Sequence, residues 1–371
     1  MALIAKELAR LEKFDVTMVV ADHGQPHIEK RADVALYSWE GRSIWGIPSR
    51  DEQLGDPKNG SKPAESFSAR LGRRLNQFRL SLIRSSLTGQ VGDYGITPNM
   101  ISIYSEVDAD IYIVPGNSEY STEVAFYCQQ RGKRYVFLAG SDIDYSPEYK
   151  LHPEKQDIYG LSYFLKTYAI ESADAHIVQN EHQASLLQNG YDRTGTVIKN
   201  PIDIDRKFPR HAAKGTLLWV GKSDEVIKRP SLILELARQL PQFKLVMIMP
   251  SVNDEIHSKL LGEANELSNV TLLEYVPFKQ IESHFASAYL HVNTSTFEGF
   301  PNTFLQAAKY GVPTVSLKVD PGGMLSQHHC GVACMDDFDT FKQTVQALMS
   351  DDQLHESYSR QSLEYVKKNH D

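Results

Sequence analysis

The sequence predicts a doubly wound α/β protein of two domains. Three observations carry that prediction. Short Val/Ile-rich runs alternate with helical segments, the alternation stops at a polar, Pro-bearing stretch and then restarts, and 371 residues exceed what one hydrophobic core usually organises. Continuous apolar runs mark parallel strands covered by helices on both faces.

In the first half, 15–21, 110–114, 134–138 and 175–179 read as buried strands with helices between them. Residues 41–66 mix Gly, Pro, Ser and charge and read as a surface loop. From Arg70 to Leu87 there are five arginines and no acid, with Leu71, Leu75, Phe78 and Leu82 at helical spacing. This is a basic amphipathic helix. Either its basic face is simply solvated, or it lies on an anionic membrane surface or receives an anionic lipid-linked substrate. The stretch 200–215 reads as the connector, after which strands are expected at 216–220, 244–249, 270–273, 289–292 and 314–317. The expected domains are therefore 1–205 and 206–371.

Composition narrows the function. The chain has 39 Lys+Arg against 47 Asp+Glu, net −8, which argues against a nucleic-acid backbone as the main partner. With 41% hydrophobic and 23% charged residues it is globular. Cys128, Cys330 and Cys334 form neither a metal-ligand set nor a disulfide framework, so a reducing compartment is expected. Apolar runs such as 246–250 fall far short of the roughly 20 residues that span a bilayer, and no signal-peptide pattern opens the chain. A cytoplasmic protein is expected, with peripheral membrane contact if residues 70–87 make it.

The most informative stretch is Tyr289 to Leu317, one βαβ unit: a strand, a turn holding Glu298, Gly299, Phe300, Pro301 and Asn302, a helix from about Thr303 to Tyr310, and a second strand. A turn at the C-terminal end of a parallel strand that opens a helix N-terminus is where open α/β sheets bind anionic or polyhydroxylated ligands. Gly299 permits close backbone approach, and the Glu298 carboxylate accepts hydrogen bonds from sugar hydroxyls.

These residues resemble a family. The run from Phe297 to Val315 is similar to the signature of the family 4 retaining glycosyltransferases, the group 1 glycosyl transferases of GT-B fold, whose pattern is Glu, seven residues, Glu. The resemblance implies two Rossmann-like domains facing across a cleft. It also implies that Glu298 and the following loop hold the donor sugar and that the second position, here Gln306, meets the ribose. A neutral amide lacks the charge-assisted strength of a carboxylate there. An alternative is a capping box from Thr303 to Gln306. Upstream, Thr216 to Lys222 with Lys228 resembles the strand, turn and downstream Lys that grip the donor diphosphate. Lys222 stands where the family usually has Arg, which keeps charge and loses bidentate geometry. Ser172 to Ile177 and Ile198 to Asp203 also resemble family segments, and mark topology.

The resemblance implies donor-binding roles for Gly221, Glu298, Gly299, Phe300, Pro301, Asn302, Thr303 and Gln306, with Pro250 and Val276 near the base, and catalytic roles for Glu298, Lys222 and Lys228. Gly116, Asn117 and Asp142 are acceptor-side candidates, because both turns follow first-domain strands; the alternative for Asp142 is a plain turn or N-cap Asp. The chain departs from the family in lacking a His after the 136–138 strand, where it reads Ala139-Gly140-Ser141-Asp142. No metal site is expected, since no Asp-x-Asp stands in a donor-domain loop; basic residues and a helix N-terminus replace the cation. The start and end also suggest a shortened family chain without the first strand.

The expectation is a retaining transfer of a hexose-type sugar from a UDP- or GDP-sugar to a hydroxyl on a glycan or lipid-linked acceptor, in surface polysaccharide or glycoconjugate synthesis. The rivals are a noncatalytic sugar-nucleotide or glycan-binding protein of the same fold, and a sugar-nucleotide epimerase.

Overall fold

The computed structural model describes residues 17–22, 27–31, 34–40, 98–158 and 160–371. The helix that the spacing of Ile4, Leu8 and Leu11 predicts at the chain start, the 41–66 loop and the basic helix at 70–87 lie outside the described residues.

The first strands are β1 (Thr17–Asp22), β2 (His27–Arg31) and β3 (Val34–Glu40), in a sheet of order β1-β3-β2. Here β3 runs parallel to β1 but antiparallel to β2. Only two residues separate β2 from β3 in the sequence, too few for the crossover that a parallel pair needs. A second sheet has the order β4 (Ile111–Pro115), β5 (Arg134–Leu138), β6 (Ala175–Val178) and β7 (Thr196–Val197). Its helices include α1 (Pro98–Val107), α2 (Glu119–Arg131), α3 (Glu148–Leu151), α4 (Tyr163–Glu171) and α5 (Glu181–Tyr191).

The chain divides into two compact units, one of Met1–Leu138 with Pro147–His176, the other of Ala139–Ser146 with Ile177–Asp371. The second unit contains a six-stranded parallel sheet. In chain order its elements are β8 (Thr216–Val220), α6 (Pro230–Gln239), β9 (Lys244–Ile248), α7 (Asp254–Asn265), β10 (Val270–Leu273), α8 (Phe278–Ser287), β11 (Leu290–Asn293), α9 (Asn302–Lys309), β12 (Thr314–Ser316), β13 (Gly331–Ala333), α10 (Phe338–Ser350) and α11 (Asp352–Asn369).

The order across this sheet is β10-β9-β8-β11-β12-β13. The chain winds outward from β8 in one direction and then, from β11, in the other. The strand order therefore reverses between β8 and β11, and ligands of open α/β sheets bind beyond the carboxyl ends at such a point.

Alternation along β8 explains how both faces are covered. Leu217 and Trp219 join a buried cluster with Ile233 and Leu234 of α6, Leu260 of α7 and Phe341 of α10. Leu218 joins an opposite cluster with Phe285 of α8 and Ala307 of α9. Such burial, at about 25 cal/mol per Å² of apolar surface, is the main source of stability for a sheet enclosed on both sides. Among the described residues no helix is long and apolar enough to cross a membrane.

Two buried polar side chains of this core show how such groups are accommodated. Lys309 is 3% exposed, and its Nζ lies 3.1 Å from Glu282 Oε2, which also accepts a 3.0 Å hydrogen bond from the Tyr310 hydroxyl. His291, on the fully buried β11, sits 3.1 Å from Thr314 Oγ1 between the rings of Phe285 and Phe304. Burial pushes this imidazole down to about 3, so it is neutral in the native protein. An unfolded histidine titrates near 6.5. Below that pH the unfolded chain binds a proton that the native state refuses. Stability is therefore complete above about pH 6.5 and is lost as pH falls from there toward the native value. We expect urea-unfolding free energies to fall between pH 6.5 and 5 by up to about 1.4 kcal/mol per pH unit from this group. The fall should be shallower in His291→Gln.

Candidate active site at the strand-order reversal

The loop after β8 carries Gly221 and Lys222. A Cβ at Gly221 would lie 2.7 Å from the Trp219 ring, so only glycine fits beside the indole. That indole donates a 3.0 Å hydrogen bond to Thr294 Oγ1, and Thr294 Oγ1 donates 2.6 Å to the Lys228 carbonyl. The Lys222 side chain is exposed. Ser223 N donates to the Pro250 carbonyl at 3.1 Å, tying this loop to the end of β9.

The segment leading to α6 is a tight turn built on Asp224, whose Oδ1 accepts from Val226 N and Ile227 N at 2.9 and 2.8 Å. Arg229, at φ 49°, spans two structures: Nε donates to the Thr294 carbonyl at 2.7 Å and Nη1 pairs with Asp336 at 2.7 Å. Thr296 N donates to the Ile227 carbonyl at 2.8 Å. These bonds knit the Lys228 turn to the loop after β11 and bring the Lys228 ammonium onto the Glu298 carboxylate as an ion pair. Both side chains remain partly exposed, at 24% and 17%.

Gly299 and Phe300 follow, both buried. The Phe300 N–H donates 2.7 Å to Gln179 Oε1, and its carbonyl accepts 3.0 Å from Asn200 Nδ2. The Asn200 carbonyl lies 2.7 Å from His370 Nδ1, and the His370 ring packs 4.8 Å from that of Phe300. Burial pushes the His370 imidazole down to about 4, which keeps it neutral. The helix α9 then begins at Asn302 with Pro301 as N-cap and no side-chain capping bond. The Thr303-to-Gln306 capping box is therefore not formed, and Gln306 is a half-buried residue on the second turn. The N-terminal amides of α9 are not capped by a side chain, which suits an anion.

Asp142 belongs to the same compact unit. It opens a 3₁₀ turn (Asp142–Tyr145) and accepts 3.0 Å from Gln183 Nε2. Burial raises its carboxyl above the ordinary range; the Gln183 bond and His182 oppose this, and the charges of Asp144 and Glu298 reinforce it. Its neighbour Asp144 accepts from Gly140 N and Ser141 N through Oδ2 at 2.7 and 2.9 Å.

The structure thus gathers Lys228, Glu298, Gly299 and Phe300, with Asp142 linked through Gln183. Pro250 follows β9 at the same sheet end, and Val276 follows β10, half-buried against the cluster of Leu218 and Phe285. Met249 is wholly core. Gly116 and Asn117 lie in the other unit, where Asn117 is buried and exchanges hydrogen bonds with Lys166 at 3.3 and 3.0 Å. Among the described residues no three His, Cys, Asp or Glu side chains converge as a metal-holding group. Sequence reasoning did not single out Arg229, Gln179, Gln183 or His370. Gln179 carried a usable signal, as the first residue past the carboxyl end of a parallel strand.

Residues 214–351 match the family model of the glycosyl transferases group 1. The matched stretch holds Lys222, Lys228, Glu298 and Gln306. No curated protein is similar to the chain. Among solved structures, sucrose-phosphate synthase from Thermosynechococcus elongatus is 14% identical, with a TM-score of 0.68 over 99% of this chain and 87% of that chain. TarM from S. aureus, in complex with fondaparinux, α-GlcNAc-glycerol and UDP, is 17% identical with a TM-score of 0.59, covering 73% of this chain and 55% of its own. HepE from Anabaena, in complex with UDP and glucose, is 14% identical with a TM-score of 0.59, covering 75% of this chain and 80% of its own. This chain therefore spans about half the length of TarM. At these identities the likeness shows the fold, which is GT-B.

The glycine at 299 gives a direct test of this geometry. A Cβ there would meet Gln179 Oε1 at 2.4 Å and the Gly140 carbonyl at 2.6 Å, and the second is backbone. We expect Gly299→Ala to destabilise the protein by about 1–3 kcal/mol in urea unfolding, the usual cost of overpacking.

Proposed function

We propose that the protein is a retaining glycosyltransferase that moves a hexose-type sugar from a UDP- or GDP-sugar to a hydroxyl of a glycan or lipid-linked acceptor. The observation that carries this reading is the Lys228–Glu298 pair at the strand-order reversal, within the stretch that matches the group 1 model. The UDP-bound relatives TarM and HepE support a nucleotide-sugar donor.

In this reading the diphosphate lies against Lys222, Lys228 and the N-terminal amides of α9. Negative charge grows on the leaving phosphate as the glycosidic bond breaks, and cations and backbone dipoles already in place stabilise that charge more than the ground state. No metal ion is required by this arrangement. Binding exchanges partners: Lys228 turns from the Glu298 carboxylate to the diphosphate, and the released carboxylate accepts hydrogen bonds from the sugar hydroxyls. Gln306, with no other hydrogen bond among the described residues, is free to meet the ribose diol. Asp142, held by Gln183, orients a sugar or acceptor hydroxyl in this reading. The leaving phosphate takes the acceptor proton on the same face, so configuration is retained.

Turnover with a panel of UDP- and GDP-sugars and hydroxyl acceptors tests this. We expect one donor class to be consumed with formation of a glycoside. Loss of a group acting on developing charge usually costs 10²–10³ in rate, so kcat should fall about that far in Glu298→Ala and Lys228→Ala. Donor binding without hydrolysis or transfer would favour a noncatalytic binding protein, and a new sugar nucleotide formed without acceptor would favour an epimerase.

A further inference from the structure

We infer that Gln179 is a positioning residue, whose side-chain oxygen sets the place of the Glu298 turn and couples it to Asp142; the catalytic part of this inference rests on the reading above. The Phe300 N–H belongs to a buried residue. A buried backbone donor without a partner is costly, and the partner here is not the local backbone but Gln179 Oε1, 121 residues away in the sequence, at 2.7 Å. Since only the oxygen of a carboxamide accepts, this bond fixes which way the Gln179 amide faces. A weaker 3.4 Å approach of Gln183 Nε2 to the same oxygen agrees with that orientation.

Gln183 repeats the logic one turn on. It is fully buried, its Oε1 accepts the Gln179 backbone N–H at 2.8 Å, and its Nε2 therefore faces Asp142 Oδ1 at 3.0 Å. Asn180, the N-cap of α5, accepts from Gln183 N at 2.9 Å and locks the start of that helix. Two amides at one helix start thus fix the Phe300 peptide on one side and Asp142 on the other.

The space between them is closed. A side chain at 299 would strike Gln179 Oε1, the Gly140 carbonyl and Gln183 Nε2 together. Glu298 is the next residue back from this locked pair. Its carboxylate meets Lys228 only if the turn stays where Gln179 holds it. An error of 1 Å in placing a reacting group costs on the order of 10² in rate. Gln179 acts by holding the backbone that carries Glu298, and is not itself proposed to touch substrate.

Two variants separate the acceptor oxygen from the bulk of the side chain. Gln179→Met keeps the volume and removes the acceptor, whereas Gln179→Glu keeps an acceptor oxygen at the same reach. Hydrogen exchange of the peptide containing Phe300, read by mass spectrometry on the full chain, should show one amide exchanging at least about tenfold faster in the Met variant. The Glu variant should exchange as wild type does. For transfer at saturating donor, kcat should fall about 10- to 100-fold in the Met variant with KM changed less than about threefold, and the Glu variant should recover most of the loss. Wild-type exchange in Gln179→Met would overturn the positioning role. So would faster exchange with unchanged kcat, or equal damage in both variants. If the wild type transfers no sugar yet the exchange pattern holds, the catalytic reading fails and the role of Gln179 in fixing the turn stands.

Discussion

Residue 299 has no room for a side chain, and the geometry of the Glu298 turn follows from that constraint. The backbone of the turn presses against Gln179, Gly140 and Gln183 so closely that a single added carbon would overlap all three. Close approach lets the Phe300 N–H reach Gln179 and the Phe300 carbonyl reach Asn200. The His370 ring, beyond the end of α11, then closes over the phenyl group. Segments around residues 140, 180, 200 and 370 therefore converge on one peptide. They hold it at the point where the strand order of the sheet reverses.

Charge is arranged around that fixed peptide in matched pairs. Lys228 faces Glu298, and Arg229, the next residue, ties the end of β11 to Asp336. These neighbouring cations differ in kind. Arg229 uses its planar fork on a carbonyl and a carboxylate at once, which suits a permanent strut. Lys228 offers a rotatable point charge to a carboxylate that is still partly exposed, which suits the partner exchange proposed for it. Structure and chemistry are thereby divided between two adjacent residues of one turn.

Much of this was legible in the sequence, and the parts that were not have physical reasons. Strands β5 and β8 fall at the positions their apolar runs mark, because a strand covered on both faces announces itself by composition alone. The Glu298 turn was readable because a strand, a Gly and a helix start lie within a few residues. β2 and β3 were not read, since half-polar stretches such as His27 to Arg31 carry no buried-strand signal. Gln179, Gln183 and His370 escaped for another reason: their partners lie far away in sequence, and a polar residue at a helix start looks like an ordinary cap until the fold brings Phe300 to it. The alternative for Gln306, a capping box, depended on where α9 begins, a difference of two residues that local pattern does not resolve.

The central claim is that the reversal between β8 and β11 receives a nucleoside diphosphate on Lys228. Calorimetric titration of the full chain with UDP and with GDP addresses it most directly. The account predicts that one of them binds, that affinity falls with added salt, and that Lys228→Ala weakens it tenfold or more. Absence of binding to both nucleotides, or unchanged affinity in Lys228→Ala, would contradict it.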